Sequence, residues 1–378
     1  MNIQQITYSS GKWVGKDSGT LTKSSDLVLC FGKKELLASS KVYEEIMNMF
    51  PGASVIMSST AGEIHNHAIQ DDTCVATAIE FNNSSIVSVK ENIEDFEDSY
   101  SAGTAIVEKL PKEGLRFVFV LSDGQLVNGS DLVAGINKVL GKEIPVAGGL
   151  AGDGAHFRDT LVGLNDDLAV GNIVAVGFYG EDLVVGCGSK GGWGQFGPTR
   201  TITRSEKNVL YEIDGENALD LYKKYLGEYA DQLPGSALLF PLSIEDGGQE
   251  IVRTILSVDP EDKSMTFAGN VPEGAKVRLM KANLDSLVDA ASDAASISSI
   301  QDQKKGNGDS LAILISCVGR KIIFGNRIEE ELDAAREILG DAAMITGFYS
   351  YGEISPFSSF MKCELHNQTM TITHLSEN

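Results

Sequence analysis

The turn Ser59-Thr60-Ala61-Gly62-Glu63-Ile64 recurs near the far end of the chain as Ser350-Tyr351-Gly352-Glu353-Ile354. Each copy closes a short apolar run, Ala53 to Met57 in the first case and Met344 to Tyr349 in the second. Glycine at the end of such a run permits a tight or left-handed turn, or lets another group approach the main chain closely. The glutamate beside it places a charge at the lip of a sheet. Two such lips predict one pocket shared by two related halves.

A third stretch reads as a divergent copy: Ile144-Pro145-Val146-Ala147 runs into Gly148-Gly149-Leu150-Ala151-Gly152-Asp153-Gly154. Upstream of the three turns stand Leu27 to Phe31, Phe117 to Leu121 and Leu311 to Ile315, continuous apolar runs with the length of buried strands. Amphipathic helices follow. Leu132, Ile136, Val139 and Leu140 share one face in the middle copy, as do Ile328, Leu332, Ala335 and Leu339 in the last. The repeating unit is strand, helix, strand, acidic glycine turn and hairpin. It predicts an α/β protein of two related domains, with mixed parallel and antiparallel sheets flanked by helices and an internal strand-helix-strand duplication. Such duplication would also retain the glycines for their turns alone, so the motif carries a structural reading beside the functional one.

The middle of the chain reads as consecutive antiparallel strands, Asn172 to Tyr179, Asp182 to Ser189, Thr199 to Ser205 and Asn208 to Ile213. A helix from Glu216 to Leu226 follows, so the boundary is expected there, with domains at 1–215 and 216–378. In the second half a strand restarts at Ala237. Further strands are predicted over Glu250 to Val258, Ser264 to Ala268 and Lys276 to Met280. A polar, Ala-rich helix starts from Leu284, and Gly306-Asn307-Gly308-Asp309 reads as a flexible loop.

Composition narrows the class. A chain of 378 residues with 42% hydrophobic and 22% charged residues suits a soluble globular protein of two or three domains. The start, Met1-Asn2-Ile3-Gln4-Gln5-Ile6-Thr7-Tyr8, lacks the basic and apolar regions of a secretory signal. Cys30, Cys74, Cys187, Cys317 and Cys363 are scattered without any C-x-x-C pairing, which fits reduced thiols in a cytoplasmic protein. The net charge of −22, from 31 basic and 53 acidic residues, argues against nucleic acid or an anionic membrane as a general partner.

Several ordered motifs resemble the FIST family. Ser59 to Ile64, Val146 to Asp153, then Gly192-Trp193-Gly194 with Gly197-Pro198 look like its amino-terminal FIST N domain. Ser316-Cys317-Val318-Gly319-Arg320, Gly347 to Ile354 and Leu365-His366-Asn367-Gln368-Thr369-Met370-Thr371 look like its FIST C domain. The resemblance implies a cytoplasmic sensor that binds a small ligand and signals through a separate partner, a histidine kinase or a cyclic-dinucleotide signalling enzyme. Some members bind haem and sense nitric oxide; amino-acid-like ligands are suggested for others.

Two ligand chemistries stay open. Haem b needs an axial donor, for which His366, inside the family-like segment, comes first and His65 and His156 follow. A small zwitterion would instead lay its carboxylate on the backbone of Gly62, Gly148, Gly149 and Gly352, beside Thr60 and Asn367. Its ammonium would meet Glu63, Asp153 and Glu353, with Trp193, Tyr349 and Tyr351 closing over it. Arg320 and Arg158 are the cations available for propionates. An enzyme is the other class: Cys317 near Arg320 as a thiolate, or Glu63 paired with Glu353 for hydrolysis. Gly148 to Gly154 opens no helix, and neither a phosphate loop nor a zinc motif stands in the chain, so a binding module is the stronger reading.

Overall fold

The computed structural model describes residues 1–15, 25–246, 248–299, 309–357 and 362–378; of the loop expected at Gly306 to Asp309, all but Asp309 falls outside them. The strand-helix-strand unit occurs three times. Leu27–Gly32 pairs in parallel with Ser54–Ser59 across the helix Ser40–Met49. Leu115–Ser122 does so with Val146–Leu150 across Gly129–Leu140, and Ser310–Cys317 with Ala343–Ser350 across Glu329–Leu339. Parallel neighbours need such a crossover, which is why each pair of apolar runs brackets an amphipathic helix. Each unit then returns antiparallel, through Cys74–Glu80, Asn172–Tyr179 and Met370–Glu377. Asn2–Ser9, Ser85–Asn92 and Leu183–Lys190 extend the three sheets beyond the returning strands.

Between its second and its returning strand, each unit sends a hairpin into a neighbour's sheet. Glu63–His65 from the first pairs with Ala343–Ser350 of the third. Gly352–Pro356 from the third pairs with Val146–Leu150 of the second, and Val162–Leu164 from the second pairs with Ser54–Ser59 of the first. The exchange is cyclic, so no unit completes its sheet alone. The inner faces of the three sheets meet in one core that includes Phe31, Phe117, Phe119, Ile313 and Phe348, with Phe31 and Phe348 rings 4.7 Å apart. Helices cover the outer faces: Ser40–Met49 on the first, Ser99–Glu108 with Gly129–Leu140 on the second, Leu284–Ser299 with Glu329–Leu339 on the third. All five cysteines are buried and none forms a disulfide.

Two glycines show why the repeat is written in backbone. Gly148 and Gly347 occupy matching places in their strands with φ of +152° and +159°, and a Cβ on either would lie 1.8 Å from the facing carbonyl oxygen, that of Val120 or Leu314. A side chain there must push two core strands apart. Gly347→Ala should therefore lower stability by more than ~3 kcal/mol, whereas Gly340→Ala at an open helix end stays near ~1 kcal/mol. Denaturant titration of both variants checks this.

The eight-stranded fourth sheet is built between Leu183–Lys190 and the helix Leu284–Ser299, and it takes strands from both sides of position 215. Its two edge strands, Gln249–Arg253 and Ile255–Asp259, are consecutive in the chain, so the sheet curls around a core containing Leu210, Tyr222, Phe267 and Leu279. The expected single strand Glu250 to Val258 is thus two. They part at Thr254 because one half pairs with Leu242–Asp246 and the other with Ser264–Phe267. Ala237 lies in a 3-10 turn, Gly235–Leu239, rather than a strand; a short apolar run does not distinguish the two by periodicity. The helix expected from Glu216 begins at Ala218, where Asn217 caps it by accepting from Asp220 N–H at 3.0 Å.

Candidate functional site

The two Gly-Glu turns are joints of the hairpin exchange. Glu63 is 1% exposed and accepts from the Thr60 hydroxyl at 2.6 Å, the Thr73 hydroxyl at 2.7 Å and the Thr73 N–H at 3.2 Å. Glu353, fully buried, accepts in the same way from Ser350 Oγ at 2.7 Å, Thr369 Oγ1 at 2.9 Å and Thr369 N–H at 3.2 Å. Each glutamate ties the start of its exchanged hairpin to the start of its returning strand. Burial pushes the carboxyls up, to about 7 for Glu63 and about 8 for Glu353. They belong to separate networks and do not form one pocket. The glycines do not cradle a ligand either, since Gly148 to Leu150 and Gly352 to Ile354 pair with each other as strands. Gly62 sits under the Lys321 ammonium, which donates to the Ala61 carbonyl at 2.8 Å.

Other candidates are also engaged in holding the fold. Arg320 is fully buried on Glu331, with Nε to Oε2 at 2.6 Å, and donates to the carbonyls of Gly191 at 2.7 Å and Leu287 at 2.9 Å. Tyr349 donates to the same Glu331 at 3.1 Å, and Trp193 donates to the Gln368 carbonyl at 2.8 Å. Asn367 is buried and donates to the His366 carbonyl at 3.0 Å.

The histidines do not converge. The His366 Nε2 lies 2.8 Å from the Ser355 carbonyl oxygen, its ring stands edge-on to Phe357, and burial pulls its pKa down to about 4. His65 sits half-buried on the first exchanged hairpin and His156 is exposed. None of them lines the cavity described below, and among the described residues neither does an arginine or lysine that could meet propionates. These residues do not fit haem.

The cavity, about 570 Å³, opens between the triplicated body and the curled sheet. That size suits a small organic ligand. On the body side it is walled by Gly124 to Gly129, Cys317 to Gly319 and Tyr351, and on the other by Thr254 to Leu256 and Phe267 to Gly269. Among the described residues its lining carries no charged side chain, in a chain of net charge −22. Leu126, Phe157 and Leu256 stand at its mouth, 52%, 39% and 47% exposed. Tyr351 and Phe157 stack with ring centroids 4.7 Å apart.

Two predicted residues build that stack together. Asp153 accepts from the Tyr351 hydroxyl and from the N–H groups of Phe157 at 2.8 Å and Arg158 at 3.0 Å. These bonds hold Phe157 at φ +53°, an uncommon conformation for an aromatic residue, with its ring on Tyr351. Asp153 therefore positions the wall from behind; Tyr351 is the predicted ligand-binding residue that lines the cavity, and Cys317, the candidate thiolate, lines it as well. Burial raises the Cys317 thiol well above its ordinary pKa, against a reactive thiolate there.

Sequence reasoning missed the opposite wall. Thr254 is 5% exposed, lines the cavity, and its hydroxyl has no hydrogen-bond partner. Behind Gly269 lies Arg253, 2% exposed. An arginine inside Ile251-Val252-Arg253-Thr254-Ile255 was the available signal, because a charge in an apolar run must find partners when buried. Two of those partners come from the body. Arg253 donates to the Leu365 carbonyl at 2.8 Å and to Ser130 Oγ at 3.4 Å, and Asn270 beside it donates to Asp131 at 2.7 Å. The curled sheet is thereby latched to the helix Gly129–Leu140.

Among the described residues no helix is long and apolar enough to cross a membrane, and no group of three or more His, Cys, Asp or Glu is placed to hold a metal ion. An uncharacterized protein of Methanocaldococcus jannaschii is 26% identical over 257 residues, which cover 60% of this chain and 46% of that protein. The chain thus spans about half the length of the curated relative it matches. Residues 26–216 match the FIST N domain and residues 218–356 the FIST C domain. With both domains matched in order, the chain belongs to the FIST family of sensory, signal-transduction domains.

Proposed function

We propose that this protein senses a small molecule bound in the cleft between the triplicated body and the curled sheet. The carrying observation is a cavity of about 570 Å³ walled by both parts, whose lining residue Thr254 holds a buried hydroxyl with no hydrogen-bond partner. A buried polar group without a partner costs on the order of 1–3 kcal/mol, and a ligand acceptor or donor would relieve it. A ligand touching both walls favours one setting of the sheet against the body, and the difference is what a partner reads. A histidine kinase or a cyclic-dinucleotide enzyme is the partner class that membership in the family suggests.

Trp193 supplies the readout. It lies in the link between Leu183–Lys190 and the curled sheet, while the other tryptophan, Trp13, is buried in the first unit. Compounds that copurify with the protein are identified by mass and titrated back onto stripped protein. Binding should shift Trp193 emission, and Trp193→Phe should remove the signal without weakening binding. Ala268→Trp, which fills the cleft from its wall, should lower affinity more than ~10-fold with little change in melting temperature. Full affinity in the folded Ala268→Trp protein would move the site elsewhere.

A further inference from the structure

The chemistry of the ligand follows from charges around the cleft, given the reading that the cleft is the ligand site. Three acids on the body side, Asp123, Asp153 and Asp131, are already engaged by donors of the fold. Asp123 accepts from the N–H groups of Gln125, Leu126 and Gly171 at 2.7, 2.7 and 3.0 Å. Asp153 holds Tyr351, Phe157 and Arg158 and has Lys34 at 3.9 Å, and Asp131 accepts from Asn270. The opposite wall differs. The Arg253 guanidinium reaches only neutral oxygens, those of Asn270, Val252, Leu365 and Ser130, and among the described residues no carboxylate comes within ion-pair distance of it. Glu364 acts on it only through space. Burial pulls its pKa down to about 10, so it stays charged at neutral pH.

Gly269 brings that charge to the cavity. It lines the cleft, and a Cβ on it would lie 2.9 Å from the guanidinium carbon and from Nε. The wall between cavity and cation is therefore one bare backbone residue thick. Thr254, the next residue after Arg253, lines the same region, and its buried hydroxyl has no hydrogen-bond partner. A buried cation lacking a counter-ion gains most from an anion that arrives with its own apolar covering. The mouth supplies the matching surface in Phe157, Leu126 and Leu256.

We propose that the cleft takes a small apolar or aromatic carboxylate, its anionic end at Thr254 over Gly269 and Arg253, its apolar body against Phe157 and Tyr351. The amine specificity expected from Glu63, Asp153 and Glu353 does not arise, because none of the three lines the cavity.

Three probes of one shape separate the cases: phenylacetate, phenylacetamide and phenethylamine, titrated by calorimetry onto the full chain stripped of copurified compounds. Phenylacetate should bind at least ~10-fold more tightly than the amide and more tightly still than the amine. Thr254→Val should lower phenylacetate affinity several-fold and leave the other two unchanged. Arg253→Met should abolish the preference; should that variant fail to fold, Thr254→Val and the order of the three probes still decide. Equal binding, or an amine that binds best, overturns the carboxylate while leaving the cleft a ligand site. No binding by any of the three overturns the carboxylate too, and the cleft itself then stands or falls on the copurified compound and Ala268→Trp.

Discussion

Glu331→Ala should lower unfolding free energy by ~3–5 kcal/mol, a large share of the ~5–15 kcal/mol typical of a folded protein. Glu331 and Arg320 are both fully buried, and their charges neutralise each other inside the third unit. Ser316 Oγ at 2.9 Å and Tyr349 at 3.1 Å donate to the same carboxylate. Removing it strands a guanidinium where water cannot reach, and leaves two hydroxyls without an acceptor. Arg320→Met combined with Glu331→Leu should cost less than Glu331→Ala alone, since no bare charge then remains. Guanidinium titration of the three proteins decides the matter. An unfolding midpoint unchanged in Glu331→Ala would show the pair to carry no weight. Arg320 also holds the Gly191 carbonyl beside Trp193, so the same variant should alter Trp193 emission before unfolding begins.

Stability should fall, on the order of a few kcal/mol, as pH rises from about 5 to about 8. The folded Glu63 and Glu353 carboxyls titrate near 7 and 8, against an ordinary value of 4.5 in the unfolded chain. Between those limits the folded state keeps protons that the unfolded state has lost, so raising the pH favours unfolding. Their contribution is fully present below about 4.5 and is lost progressively through 7 and 8. His366 works the other way. Its folded value of about 4 lies below the ordinary 6.5, so it costs stability as pH falls through 6.5; His65, which burial also pulls down, acts in the same direction, and above 6.5 the two carboxyls act alone. Combining Glu63→Gln with Glu353→Gln should flatten the decline, because a neutral amide keeps the threonine partners and does not titrate. Ligand affinity should not change in either variant, as neither side chain lines the cleft. Melting curves at several pH values test it, and an equally steep decline in the double variant would remove these two carboxyls as the cause.

Much of the fold was legible because local patterns dictate local structure. Continuous apolar runs such as Phe117 to Leu121 have the length of buried strands, and the spacing of Leu132 and Ile136 places them on one helix face. The candidate site was legible in part. Tyr351 lines the cleft and Asp153 supports it, whereas Glu63, Glu353, Arg320 and Trp193 are hydrogen-bonded within the fold away from it. A Gly-Glu pair looks the same in sequence whether its carboxylate faces a ligand or a threonine ten residues along the chain.

The sequence by itself determined the repeating unit, the mixed sheets and the glycines that close its strands, because period, propensity and φ preference act over a few residues. The tertiary structure alone decided which sheet each hairpin joins. It also decided that Gln249–Arg253 and Ile255–Asp259 lie at opposite edges of one curled sheet, and that Thr254 and Gly269 face Tyr351 across a cavity. Those outcomes depend on contacts between residues a hundred or more positions apart, such as Arg253 with Leu365. Their free energy comes from burying surfaces against each other, which no local pattern records.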